Sequence, residues 1–388
     1  MFCEGKILSS KSLEKIQVVD LARSIAIMTV MALHLKPSLP LPPPLFRWGW
    51  DHFQRNGEYG VCMFFVISGF LITRIIDMGQ GRLFQPSWKL FYARRVGRII
   101  PLFLLAVALG LFLFWVFNDD SKKFIYCFKL PQDPTTSSFW IPLFTFTFNW
   151  ANGTNWGGVG IHWILFWSLA VEEQFYFFYP LTLKYLGNVK RLVWFLISIV
   201  ILGLLWRWGV YLSSNDNIHS SMRISFGAFD QIAIGALLYL VFKFKGEFFS
   251  KNKGISSIVM SAGLLIILLT YLNTFPIGVP LDRIFGPTLI ATGLFLFLLG
   301  GLHLSFFENK WLKLFSLPGK FSYGNYLFHI SVLFFVHSFL WNLNIVIAFL
   351  VFVFITTSIS ALSYQCFEVP SNKLIRKWLG AEPINGSK

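Results

Sequence analysis

The chain has 388 residues, of which 55% are hydrophobic, 19% aromatic and only 13% charged. Soluble domains carry about 25% charged residues, so no single water-soluble core holds this much apolar side chain, and a bilayer is the solvent that fits it. The net charge of +15 falls in segments between apolar runs, which is the pattern of membrane-protein loops and argues against a nucleic-acid partner.

In chain order, the first 17 residues lack the order of a cleaved signal peptide and are expected to remain as a cytoplasmic tail. Spanning helices need about 20 mostly apolar residues. Ten such segments are predicted: near 18–35, 59–76, 96–117, 163–186, 191–212, 222–242, 255–275, 284–303, 321–340 and 344–364. With the N-terminus inside, the inner segments hold 22 Lys and Arg and the outer ones 7. The positive-inside rule then favours both termini in the cytoplasm. The fold expected is an all-α polytopic membrane helix bundle of about ten transmembrane helices. Residues 1–370 would form one transmembrane domain, and 371–388 a short cytoplasmic tail. Cys3, Cys62, Cys127 and Cys366 lie far apart with no CxxC spacing, which excludes a zinc knuckle and a disulfide scaffold. No metal-ligand constellation or phosphate-binding glycine loop is present in the sequence.

Two outer loops stand out. Residues 36–58 contain the run PSLPLPPP, expected to be extended. Residues 118–162 are rich in Trp, Phe, Asn and Gly, and could either stack on sugar rings or form an interfacial aromatic belt.

Ionisable residues inside apolar segments are costly and mostly face a cavity or a partner. In the first segment, Arg23 and His34 are eleven residues apart, so they share a helical face roughly 16 Å apart along the axis. Asp20 lies three residues before Arg23 and can pair with it. Arg94, Arg95 and Arg98 cluster before the third segment, where guanidinium forks suit phosphate, but taken alone the cluster is better accounted for by ordinary loop charge or lipid headgroups. Ser68-Gly69 in the second segment permits close approach of two helices. In the fourth, Glu172 and Glu173 are adjacent and point apart, so at most one is expected to meet an Arg or His from another helix, and Ser168 lies one turn before Glu172. His329 lies at lipid depth in the ninth segment, and Glu368 follows the tenth.

Six motifs in one order, DLAR…H (Asp20, Arg23, His34), FFVISGF (Phe64 to Phe70), RRVGR (Arg94, Arg95, Arg98), WSLAVEEQFY (Trp167, Ser168, Glu172, Tyr176), SYGNYLFH (Tyr323, His329) and FEVP (Glu368), resemble the acyltransferase-3 family of integral membrane O-acyltransferases. The resemblance implies a bacterial cytoplasmic (inner) membrane enzyme that moves an acyl group from cytoplasmic acyl-CoA to a surface or exported glycan. Acetyl is the commonest acyl group in that family, and O-antigen, capsule or a lipid-linked saccharide are candidate acceptors. Acyl-CoA would be a co-substrate, with no tightly bound cofactor. It further implies that Arg94, Arg95 and Arg98, with Ser68 and Gly69, serve the donor. His34 would act as general base, or carry the acyl group transiently, assisted by Arg23, Asp20 and Glu172, with His329 as the competing base. The extracytoplasmic esterase-like domain that some members append is expected to be absent. The soluble HxxxxD acyltransferase motif does not occur. A transporter or flippase for a lipid-linked sugar is the rival reading, and would call for inverted repeats with broken helices.

Overall fold

The computed structural model describes residues 17–35, 44–80, 83–116, 137–151, 160–213, 225–272, 279–340 and 343–379. The N-terminal tail, residues 36–43 of the proline run, and most of loop 118–162 lie outside them. Among the described residues, all regular structure is helical. The helices that matter here are α1 (Gln17–His34), α2 (Pro44–Arg55), α3 (Tyr59–Gln80), α4 (Trp88–Val116), α5 (Ser137–Phe144), α6 (Phe166–Leu186), α7 (Val189–Ser213), α8 (Phe229–Lys251), α9 (Lys253–Tyr271), α10 (Val279–Gly301), α11 (Ser322–Leu340), α12 (Ile345–Ser363) and α13 (Val369–Trp378).

A helix lies at each of the ten positions expected from the apolar runs. Seven spans, those built on α1, α3, α4, α7, α9, α10 and α12, are long and apolar enough to cross a membrane. The protein is thus an integral membrane protein. The three other expected spans coincide with α6, α8 and α11. In α6 and α8 the composition is interrupted by charge: Glu172 and Glu173 in one, Asp230, Lys243 and Lys245 in the other.

Three segments differ from expectation. The proline run ends at Pro44 by opening α2, because a proline at the first helical position gives up no intrahelical hydrogen bond. The described part of the 118–162 loop turns Phe139, Phe148 and Asn149 fully inward, so these side chains belong to the core rather than to an aromatic belt or an open sugar platform. After α12, a π-turn over Tyr364–Glu368 leads directly into α13, which packs on α4. Residues 371–378, in the segment expected as a short cytoplasmic tail, are helical and packed on α4. Asn372 fits there because Gly97 of α4 has no side chain to hold it off.

Helix ends segregate into two layers. At one end Asp77 pairs with Lys243 at 2.7 Å, Lys253 donates to the carbonyl of His303, and Gln17 donates to that of Asn309. At the other end Gln54 donates to Leu35 O, Asn56 to Tyr271 O, and Arg207 is clamped by Asp230 at 2.8 Å, Thr288, Gly227 O and Ile284 O. Arg207 and Asp230 are wholly buried, and a buried charge pair is tolerable only when hydrogen bonds satisfy it this fully. A left-handed Gly187 (φ 68°) ends α6, donating back to Leu183 O.

Two hydrophobic cores share α1. Val18, Ala22, Ala26 and Val30 pack with α3, α8 and α10, whereas Ile27, Met31 and Leu35 pack with α4, α11 and α12. α6 is divided in the same way, Phe175 and Tyr179 joining the first core and Phe166 and Leu169 the second. Polar residues on α1 and α6 that belong to neither core fall on the seam between them.

Candidate active site

A cavity of about 110 Å³ lies on that seam, walled by α1, α3, α4, α6 and α11. Arg23, Ser68, Arg95, Arg98, Glu172 and Tyr323 supply its polar lining. Each cation has a distinct circumstance. Arg23 reaches Asp20 at 3.5 Å, one helical turn away as its spacing predicts. Arg95 donates to Glu173 at 3.2 Å and lies 3.5 Å over the ring of Tyr176, so its charge is already engaged. Arg98 makes no hydrogen bond or ion pair to any described residue, and lines a second cavity as well.

Glu172 and Glu173 differ because successive helical residues are turned about 100° apart. Glu173 answers Arg95; Glu172 lines the cavity with Ser68, and lies within electrostatic reach of Arg95, Arg98 and Arg23. Ser68 also meets the Tyr176 hydroxyl. Gly69 is not part of this lining. It lets α3 approach the carbonyl of Ile232 on α8, and Gly235 of α8 reciprocates against the carbonyl of Val66. Its expected place at the donor gives way to helix packing.

α1 and α11 run parallel: Gly319, just before α11, donates to Ser24 Oγ at 2.7 Å, and ten residues further along both chains His34 meets His329. Nε2 of His329 lies 3.1 Å from Nδ1 of His34. Nδ1 of His329 faces the carbonyls of Tyr326 at 2.7 Å and Asn325 at 3.2 Å. A carbonyl only accepts, so that nitrogen carries the proton, and in the neutral ring Nε2 is an acceptor. Nδ1 of His34 then faces two acceptors, this Nε2 and Val30 O at 2.9 Å, and must itself carry hydrogen. The free lone pair of His34 is left on Nε2. His329 is fully buried, whereas His34 keeps some exposure. The two histidines that the motifs offered as competitors are therefore one unit with unequal parts.

The remaining motif residues are spread around this axis. Ser168 bonds the Tyr326 hydroxyl at 2.7 Å, and Trp167 stands edge-on to Phe65. Tyr323 donates to Ile99 O at 2.9 Å, tying α11 to α4 at the residue next to Arg98. Arg94 does not join Arg98 in the cavity. Arg376 of α13, a helix that packs on α4, lies within electrostatic reach of it. Glu368 lines the second cavity with Arg98. Tyr326, which separates the first cavity from the histidine pair, was not singled out in the sequence. A signal for it existed, since Tyr323, Tyr326 and His329 recur every three residues along α11.

The profile of the acyltransferase-3 family, described as an acyltransferase domain, matches residues 16–364. The chain belongs to the acyltransferase-3 family. Among curated relatives of this family member, a Staphylococcus aureus (strain COL) protein named as an O-acetyltransferase by inference is 28% identical over 390 residues, 94% of this chain and 58% of its own length. The O-acetyltransferase OatA of S. aureus (strain NCTC 8325 / PS 47) is 26% identical over 383 residues, 92% of this chain and 57% of its own. The peptidoglycan O-acetyltransferase OatA of Listeria monocytogenes is 28% identical over 228 residues, 57% of this chain and 33% of its own. The chain thus spans less than two thirds of the length of these relatives. No solved structure matches it.

Proposed function

We propose that this protein is a membrane O-acyltransferase that moves an acyl group, acetyl in the simplest case, from cytoplasmic acyl-CoA to a hydroxyl of a surface or exported glycan. The observation that carries the reading is the His34–His329 contact one turn beyond a cavity holding an unpaired Arg98. Nε2 of His34 takes the proton of the acceptor hydroxyl as the oxygen attacks the thioester carbon. The C–S bond then breaks, and the thiolate leaves as thiol with the proton that His34 returns. Imidazole suits both steps near neutral pH. Relatives named for O-acetylation, one of them of peptidoglycan, support an acetyl donor and a glycan acceptor. Arg98, on the same face as the donor entrance, is the cation available to that donor, and Glu172 with Arg23 keeps the cavity polar between the donor and His34. The five helices that wall the cavity are continuous, which counts against the flippase reading and its broken helices.

The test is thiol release from acetyl-CoA by purified protein, with and without a polysaccharide acceptor. Acceptor-dependent release is expected, with His34→Ala reducing it by about 10²-fold to 10⁴-fold while acetyl-CoA still binds. Near-normal transfer by His34→Ala, or no release by the wild-type protein with peptidoglycan, capsule or O-antigen acceptors, would overturn the proposal.

A further inference from the structure

The end of α1 that carries His34 is flanked by α2, and the two faces of α2 have different surroundings. On one face Trp50 and Phe53 stand edge-on to Phe349 of α12, with ring centroids 5.5 and 6.1 Å away. Gln54 donates to the carbonyl of Leu35, the residue after His34. Glu58, just past α2, lies within electrostatic reach of His34. This face of α2 is therefore fixed beside the histidine pair.

The other face is turned outward. Trp48 is 57% exposed, and its ring leans on that of His52, one turn on, with centroids 4.5 Å apart. His52 is itself held, its Nδ1–H donating to Trp48 O at 2.8 Å, so the indole has a firm back. Arg47, Asp51 and Arg55 follow at intervals of four residues beside this pair. Both arginines are exposed, and none of the three makes an ion pair or hydrogen bond to a described residue.

A sugar ring offers a flat C–H face to an aromatic plane and a rim of hydroxyls that both donate and accept. Guanidinium groups donate to such a rim and a carboxylate accepts from it. With two cations against one anion, the face favours a saccharide that carries carboxylate or phosphate groups. A lipid headgroup layer is the other surface that an exposed tryptophan meets. Asp51 in the middle of the face opposes an anionic layer, and Trp50 and Phe53, which would enter lipid, are spent on α12. From Trp48 to Gln54 is six residues, about 9 Å along the helix axis, which spans roughly two linked sugar rings.

We propose that α2 is an acceptor subsite that binds an acidic oligosaccharide chain about two sugar units away from the unit acylated at His34. Trp48 lies under one ring, and Arg47 and Arg55 meet the carboxylate or phosphate groups. The proposal rests on the acyl-transfer reading above, and adds that the acceptor is a chain of sugars and not a free monosaccharide.

Full-length protein in nanodiscs of neutral phosphatidylcholine is titrated calorimetrically with peptide-free peptidoglycan strands of two and of six sugars, whose lactyl groups carry carboxylates, and with the neutral chitin hexasaccharide. The six-sugar strand is expected to bind about tenfold or more tighter than the two-sugar strand, and tighter than the chitin hexasaccharide. Trp48→Ala should bring the ratio between the two strands close to one, and Trp48→Phe should restore part of it. Arg47→Gln combined with Arg55→Gln should erase the preference for the acidic hexasaccharide over the neutral one. Each variant is checked for monodisperse elution. Equal affinity for two and six sugars, no binding of either, or a ratio unmoved by Trp48→Ala overturns the subsite, while acceptor-dependent thiol release from acetyl-CoA leaves acyl transfer standing. A ratio that depends on Trp48, in a protein that releases no thiol, does the reverse. An unmoved ratio in a Trp48→Ala protein whose unfolding temperature falls only in phosphatidylglycerol nanodiscs assigns α2 to lipid headgroups and also overturns the subsite.

Discussion

His34 and His329 are 295 residues apart in the chain and 3.1 Å apart in space. Their roles differ because their surroundings differ. His329 has its Nδ1 tied to backbone carbonyls and is closed to any ligand, whereas His34 keeps an unprotonated Nε2 and some exposure. His329 is on this reading a positioning residue that holds the His34 ring and its tautomer. His329→Phe should lower kcat by at least about tenfold, short of the loss in His34→Ala, with KM for acetyl-CoA little changed. His329→Gln, whose amide oxygen can still accept from Nδ1 of His34, should recover part of that loss. Equal activity in the two variants across pH 6–9 would show that His329 only fills space. Arg95 carries a second lesson at this scale. Its match to an arginine motif says nothing of availability, and the ion pair with Glu173 together with the Tyr176 ring leaves Arg98 as the uncommitted cation.

At the level of helices, α3 and α8 cross with their backbones in close approach. Gly69 and Gly235 each face backbone of the other helix, and a Cβ at either position would collide with a carbonyl that cannot rotate away. Small residues at helix crossings serve this purpose where lipid gives no hydrophobic drive to association. Gly235→Ala is expected to destabilise by about 1–3 kcal/mol, seen as a lower unfolding temperature in detergent. Gly209→Ala in α7, where nothing lies within 4 Å, is the control, and should be neutral or slightly stabilising because alanine is the better helix former. An unchanged unfolding temperature in Gly235→Ala would mean that the crossing is looser than drawn. The same crossing sets the position of Ser68, so a milder loss of activity should accompany the loss of stability.

For the whole molecule, helix ends lie in two layers with α1 and α11 parallel, and the 22-to-7 distribution of basic residues leads to the proposal that the layer holding Lys243 and Lys253 faces the cytoplasm. Single cysteines on a background lacking the native four give the check. Cysteines replacing the exposed Lys251 and Lys313 should resist a membrane-impermeant thiol reagent in intact cells, and one replacing the exposed Trp48 in α2 should react. Labelling at Lys251 or Lys313 would invert or break the arrangement, and with it the proposed delivery of donor from the cytoplasm to His34. The seam between the two cores is where such a path can exist, because only there do polar residues on α1, α4, α6 and α11 face one another away from both lipid and core.

What the sequence by itself determined is whatever acts within one helix or one loop. The lengths of apolar runs predicted where helices lie, and helical spacing joined Asp20 to Arg23. Only the tertiary structure decided how each helix is rotated about its axis. Helices such as α7 are apolar all round, because lipid and core accept the same side chains, so periodicity does not mark the buried face. That rotation selected Glu172 over Glu173 for the cavity, left Arg94 out of its lining and turned Arg98 inward, and gave Gly69 to packing. It also brought Lys320, Ser360 and Asn372 around one space from three separate segments, a meeting that no local spacing encodes.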